Sequence, residues 1–413
     1  MPAQRFDNAK FKAAAALPSE AEDSAALAST RFDPDRWPEF DFPKLPIDSA
    51  VAAVSPDCSF RFLKKAIDSA QSSLVLYIYN VGAPHMQELL KKAKTRGVKI
   101  RSMYDGTQNG AAELEALKKV GKTKAAPAGG NRHVFTVCHQ KFMVIDKKTV
   151  IVESANWSNT SVPQSTTAGA FKKGNREWFI RIDDRAVAKW FTDLFEADFA
   201  IPEDAGLEAA EPFPPTLPGF SVAAATEVPG EVFDFKTIAD STATVQPIIS
   251  PNNYLTEVKA LLKSATKSIY LQQQYVLAGN GVKDPLKVMA KKKADDPEFD
   301  IRVISSAAFP ENWTKTQATL DSAGLLGTLK AINPKSFTHC HNKGVIVDDH
   351  AVVVSSTNWS MNSLTRARET GLLVRSEKIC EYYKNVFLLD WEEGLSPDDV
   401  AAEVIHFDGA DIA

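Results

Sequence analysis

The 413-residue chain is 44% hydrophobic and 24% charged, so it has ample material for large cores and more length than one core usually fills; two domains or two fused half-domains are expected. A formal net charge of −4 excludes a global basic footprint for nucleic acid or anionic membrane, although a local basic groove remains open. The four cysteines, Cys58, Cys138, Cys340 and Cys380, lack the density and spacing of a disulfide framework or a zinc site and favour a reducing compartment.

Residues 1–45 combine an Ala/Glu stretch with RFDPDRWPEFDFPKLP and read as an extension that drapes over a domain or stays partly disordered. Their alanine run, broken by Pro18, is no secretory apolar core, and no run in the chain approaches the ~20 apolar residues needed to cross a bilayer. A cytoplasmic protein with at most peripheral membrane contact is expected. From Ser59 the pattern becomes regular: helix FRFLKKAIDSA, strand SLVLYIYNV, helix HMQELLKKAKTRG, strand KIRSMYD, helix AAELEALKKVG and the loop KAAPAGGN. Residues 46–200 therefore form one half. A proline-rich stretch follows within 201–235, too rich in proline for helix or central strand and read as a linker or long surface loop. The second half, 236–413, repeats the order with helix LTEVKALLKSAT, strand SIYLQQQYV, helix DPLKVMAKKKADD and strand DIRVISS. Alternating apolar β-rich and amphipathic helical runs predict an α/β fold with a mainly parallel sheet, made twice.

The halves are tied by a repeat. HQKFMVIDKKTVIVESANWSNTS, starting at His139, returns without a gap as HNKGVIVDDHAVVVSSTNWSMNS, starting at His341, an offset of 202 residues. VFTVCHQKFMVID and FTHCHNKGVIVDD read as strands, on which residues two apart share a face. His139 then projects with Lys141, and His341 with Lys343. Such a pair suits a phosphate: the ammonium neutralises the anion, and the imidazole attacks or protonates it. Asp146 and Asp348 have the opposite parity and belong at strand ends, in an orienting role. Ser154, Asn156, Ser356 and Asn358 end the next strands, where short polar groups can hydrogen-bond an oxyanion. Each half later supplies an Arg-Glu pair, Arg176-Glu177 and Arg368-Glu369, whose Glu could hold the half's own His in one tautomer.

H-x-K-x4-D followed by S-x-N, present twice with the same His-to-Asn spacing of 17, resembles the signature of the phospholipase D superfamily over about 46–200 and 236–395. The resemblance implies two α/β/α sandwich halves related by a pseudo-twofold, with both motifs meeting in one site. It implies a catalytic set of His139, Lys141, Asp146, His341, Lys343 and Asp348, substrate contacts from Asn156, Asn358, Ser154 and Ser356, and support from Glu177 and Glu369. His139 would become a phosphohistidine while His341 protonates the leaving alcohol; neither a metal nor another cofactor is implied. Two departures stand out. Glu153 and Ser355 replace a Gly often found before the Ser, and Glu177 follows its half's His by 38 residues where Glu369 follows by 28.

Phospholipids and nucleic acids are both possible phosphodiester substrates of such a site, and a binding scaffold without turnover is the non-enzyme alternative. The acidic balance favours lipid, whereas the Asn-Trp endings resemble some nucleases. Trp157 and Trp359 could stack on a base or cover a lipid headgroup, but packing is the simpler expectation. The lysine runs, such as Lys91, Lys92, Lys94 and Lys291–Lys293, are expected on solvated helix faces. Parity directs Cys138 and Cys340 away from the site as structural thiols, Tyr77, Tyr79 and Tyr275 lie on strands that converge near it, and His339 shares a face with His341.

Overall fold

The computed structural model describes residues 38–105, 109–126, 135–166, 168–169, 171–201, 227–228 and 233–402. Most of the expected extension and of the proline-rich stretch, the tip of the KAAPAGGN loop, and His133 and His406, two histidines with no partner pattern in the sequence, lie outside the described residues.

In chain order the first half runs β1 (Leu45–Pro46), β2 (Ser49–Ser55), α1 (Ser59–Ser69), β3 (Ser73–Ile78), α2 (Pro84–Thr95), β4 (Lys99–Tyr104), α3 (Ala111–Val120), β5 (Lys122–Ala125), β6 (Lys141–Ile145), β7 (Thr149–Glu153), β8 (Phe171–Lys172), β9 (Glu177–Ile182) and α4 (Arg185–Ala200). The second runs β10 (Glu227–Val228), β11 (Lys236–Ala239), β12 (Thr244–Ser250), α5 (Tyr254–Ser264), β13 (Ser268–Gln273), α6 (Lys283–Asp295), β14 (Asp300–Ser305), α7 (Pro310–Ser322), β15 (Leu329–Ala331), β16 (Lys343–Val347), β17 (Ala351–Ser355), α8 (Met361–Thr365), β18 (Glu369–Arg375), α9 (Glu377–Glu393) and α10 (Pro397–Ala402).

The strands assemble into two 8-stranded sheets, β11-β2-β9-β7-β6-β3-β4-β5 and β1-β12-β18-β17-β16-β13-β14-β15. Both are mixed rather than mainly parallel. Among the described strands only β3-β4-β5 and β13-β14-β15 run parallel, where helices make the crossovers. The strands carrying Lys141 and Lys343 enter from loops instead, and fold back at once as antiparallel hairpins with β7 and β17. Each hairpin turn places two residues in the left-handed region, Asp146 and Lys147 at φ 52° and 53°, and Asp348 and Asp349 at φ 51° and 62°. The runs TVIVE and AVVVS are buried along their whole length because both faces of each sheet are covered, which is why they are continuous rather than alternating.

The outer face of the first sheet is closed by α1, α2 and α3 through Leu63, Ile67, Leu89, Leu90 and Leu117; that of the second by α5, α6 and α7 through Leu261, Leu262, Met289 and Leu320. The inner faces share one core with α4 and α9, joining Trp178, Phe191 and Phe195 to Tyr383, Phe387 and Val354. Asp184 caps α4 through the amides of Ala186 and Val187, and Ser376 caps α9 through that of Ile379. A close approach of the halves explains Gly344 of β16. A Cβ there would lie 2.3 Å from the Trp178 ring of β9, so the second half has glycine where the first has Phe142.

The halves also exchange edge strands. Leu45–Pro46, just before β2, pairs with β12 of the second sheet, and Lys236–Ala239, just before β12, pairs with β2 of the first. Residues 40–46 thus drape across the second half's edge, with Phe40 and Phe42 against Trp190 at 5.7 and 5.9 Å between ring centroids.

Candidate active site

The segments leading into β6 and β16 cross to the other half. Val137 accepts from the Arg368 amide and Arg368 accepts from the His139 amide, both at 2.8 Å. Reciprocally, His339 accepts from the Arg176 amide at 3.0 Å and Arg176 from the His341 amide at 3.1 Å. Buried arginines lock these crossings. Arg368 donates to both oxygens of Asp198 on α4 and to Asn252, and Arg176 donates to Asp390 on α9 and to Asp57. Both guanidiniums are essentially unexposed, where an unpaired charge would cost several kcal/mol.

This crossing corrects the expected pairing of glutamate with histidine. Glu177 holds His341, its Oε1 2.6 Å from Nδ1, and Glu369 holds His139, its Oε2 2.8 Å from Nδ1. Each carboxylate serves the imidazole of the opposite half. The two units are unequal in their surroundings. His139 Nδ1 also lies 3.0 Å from the Ser356 carbonyl, which only accepts, so Nδ1 carries the proton and Nε2 keeps its lone pair. Among the described residues His341 Nδ1 faces Glu177 alone.

Ser154 and Ser356, expected to contact substrate, are turned to other work: each donates to its half's glutamate at 2.6 Å. Ser161 adds a second hydroxyl to Glu177 at 2.7 Å, a contact unremarked in the sequence although the repeat carries Ser161 and Ser363 in register. Lys141 and Lys343, fully buried, each donate to the carbonyl of the His two residues before, Lys141 at 2.9 Å. The Lys141 ammonium lies 4.9 Å from the centre of the Tyr79 ring, and that ring meets His139 edge-on at 4.6 Å. Asn156 and Asn358 each bury a side-chain oxygen without a hydrogen-bond partner among the described residues.

Two imidazoles, two buried ammoniums and two unsatisfied amides thus come from matched positions of both repeats. The family description "Cardiolipin synthase, PLD-like domain" matches residues 63–199 and again 258–391. The chain belongs to the phospholipase D superfamily. The 5'-3' exonuclease PLD3 of Bos taurus is 24% identical over 363 residues, 77% of this chain and 69% of that protein. Phospholipase D of Rickettsia felis is 30% identical over 129 residues, 31% of this chain and 58% of that relative's length. The structure of phosphatidylserine synthase from Haemophilus influenzae Rd KW20 shares the fold, with a TM-score of 0.60 over 89% of each chain at 14% identity.

Burial is the largest influence on the charges in this phospholipase D-superfamily site, though it does not win everywhere. Burial, then the charges of Lys141 and Lys343, hold His139 well below the usual imidazole range; burial also lowers His341, against an upward pull from Glu177. Burial works to raise Glu177, but the charge and hydrogen bond of His341, with Lys343 and Ser154, outweigh it and bring the carboxyl down to about 2. For Glu369 burial wins over Lys141 and Ser356, and the carboxyl is pushed up to about 8. Burial likewise lowers Lys343 to about 8 against the pull of Glu177 and Glu369. Glu153, at the position noted for lacking glycine, is buried, donor-bound by Trp157 Nε1 at 2.9 Å and pushed up to about 8 by burial.

Asp146 and Asp348 do not belong with this group. Each sits at the far end of its strand, roughly 16 Å from the lysine five residues before. Asp146 accepts from the amides of Gln71, Ser72 and Ser73 at 2.8–2.9 Å, and Asp348 from those of Thr266, Lys267 and Ser268 at 2.5–2.8 Å. They fix the turn that starts β3 and β13. Asp146→Ala is accordingly expected to cost about 2 kcal/mol of stability, read as a lower denaturant midpoint, while its kcat falls far less than that of a histidine variant.

The remaining aromatic and thiol readings divide. Trp157 and Trp359 are 0% and 1% exposed and pack in the outer cores, so neither is available to stack on a base or cover a lipid headgroup. Cys138 and Cys340 are buried in the shared core. Tyr77 packs there too, against Phe142 and Phe195, whereas Tyr79, just past the end of β3, touches His139. Burial and the Glu369 charge push the Tyr275 hydroxyl upward.

Proposed function

We propose that this phosphodiesterase works through a phosphohistidine on His139 and acts on phospholipids, hydrolysing the headgroup ester or passing the phosphatidyl group to another alcohol. The observation that carries the assignment is the Ser356 carbonyl on His139 Nδ1, which presents a neutral, nucleophilic Nε2. Nε2 attacks phosphorus, the P–N bond forms as the bond to the leaving oxygen breaks, and His341, whose protonation the ionised Glu177 and the incoming phosphodiester anion favour against burial, gives that oxygen its proton. Water or an alcohol then returns a proton to His341 as its oxygen attacks phosphorus and the P–N bond breaks. Lys141 and Lys343, with the amides of Asn156 and Asn358, supply the fixed charge and donors that phosphoryl transfer chiefly depends on.

Lipid is favoured over nucleic acid by the use made of the lysine runs. Lys94 and Lys292 donate to backbone carbonyls and Lys291 pairs with Asp295, all on outer helices. The second reading, cleavage of nucleic acid ends, is favoured by the exonuclease relative, whose similarity covers 77% of this chain. Offering the purified protein phosphatidylglycerol and phosphatidylcholine vesicles beside single- and double-stranded DNA, with EDTA throughout, separates the readings. Headgroup release with intact DNA is the expected result. DNA cleavage with untouched vesicles would replace the lipid reading, and activity abolished by EDTA and restored by a divalent ion would overturn the mechanism.

A further inference from the structure

One imidazole beside the site has no counterpart in the first repeat. His339 stands two residues before His341, where the first half has Val137. Its ring is 7% exposed and held edge-on between two others, with centroids 5.2 Å from Phe309 and 5.5 Å from His341. Nδ1 lies 3.1 Å from the Cys340 carbonyl, an acceptor only, so Nδ1 carries the proton and Nε2 is a fixed acceptor. Nε2 has no partner among the described residues. Burial, the largest influence, lowers the imidazole to about 4 despite the Cys340 carbonyl and Glu177, so the ring stays neutral in the working range and does not compete with the lysines for phosphate.

We propose that His339 selects the alcohol: its Nε2 accepts a hydrogen bond from a hydroxyl neighbouring the reacting oxygen, so that the site favours polyols such as glycerol over simple alcohols. The reading rests on the phosphohistidine mechanism above. The reacting hydroxyl gives its proton to His341 as its oxygen bonds phosphorus and the P–N bond to His139 breaks, while the second hydroxyl is held by the neighbouring ring. A quaternary ammonium headgroup, with no proton to donate, gains nothing from this acceptor.

The test measures how the intermediate divides between acceptors. With bis(p-nitrophenyl) phosphate as donor and equal concentrations of glycerol and 1-propanol, the ratio of glyceryl to propyl ester product is read for each enzyme. Both products arise from one intermediate, so the ratio does not depend on how much active enzyme a variant retains. The wild type is expected to favour glycerol at least tenfold, His339→Phe to fall to about one, and His339→Gln, which restores an acceptor, to lie between. A wild-type ratio near one, a ratio unchanged in His339→Phe, or hydrolysis with no ester product would overturn the proposal. Trapping phosphorylated His139 in the same reaction keeps the two claims apart: its presence without glycerol selection sinks only the role of His339, and its absence sinks the mechanism and this proposal together.

Discussion

His139→Ala is expected to lower kcat by about four orders of magnitude or more, and His341→Ala by a similar factor, with the double variant no worse than either alone. The steps that fail should nevertheless differ. A nitrophenolate leaves without needing a proton, so His341→Ala should still phosphorylate His139 and release about one equivalent of nitrophenol per enzyme in a burst before stalling. His139→Ala should give no burst. The burst amplitude, with mass spectrometry of the quenched protein, checks both expectations. A burst from His139→Ala and none from His341→Ala would reverse the roles and make the Ser356 carbonyl on His139 irrelevant to the nucleophile.

The paired histidines and lysines were legible because a repeat in register writes them twice, and the alternation of helix and strand was legible because apolar period reports burial locally. Other features depend on contacts between distant segments. SAVAAVS is rich in small alanines and TVQPIIS contains Pro247, so neither advertises itself as a strand, yet β2 and β12 occupy matching places in the two sheets. Pro247 is tolerated because β1 is so short that it pairs only with Thr244 and Val245. Strand parity correctly removed Asp146 and Asp348 from beside the lysines, whereas their presence in the family signature grouped them with the catalytic residues. Their conserved chemistry within this chain is a turn, made the same way twice. The exchange of Glu177 and Glu369 between halves left no trace in the sequence, since spacing along one chain says nothing of how two copies of a fold face each other.

That exchange gives the sharpest test of the geometry. Glu177→Gln and Glu369→Gln each keep volume and hydrogen bonding but remove the charge, a change that costs a comparable carboxylate-histidine unit about 10⁴-fold in kcat. The Ser356 carbonyl still fixes the His139 tautomer in Glu369→Gln, and Glu369 is already pushed up to about 8, so the loss there should be smaller, about 10²-fold. Glu177 stays ionised down to about 2, so its support for the His341 imidazolium persists throughout the working pH range and its removal should bring the larger loss. In the nitrophenyl assay Glu369→Gln should slow the burst, because it acts on His139, while Glu177→Gln should preserve the burst and slow the turnover that follows, because it acts on His341. Were each glutamate to serve the histidine of its own repeat, the two phenotypes would be interchanged. Pre-steady-state rates for the two variants therefore decide whether the halves share one site by trading carboxylates.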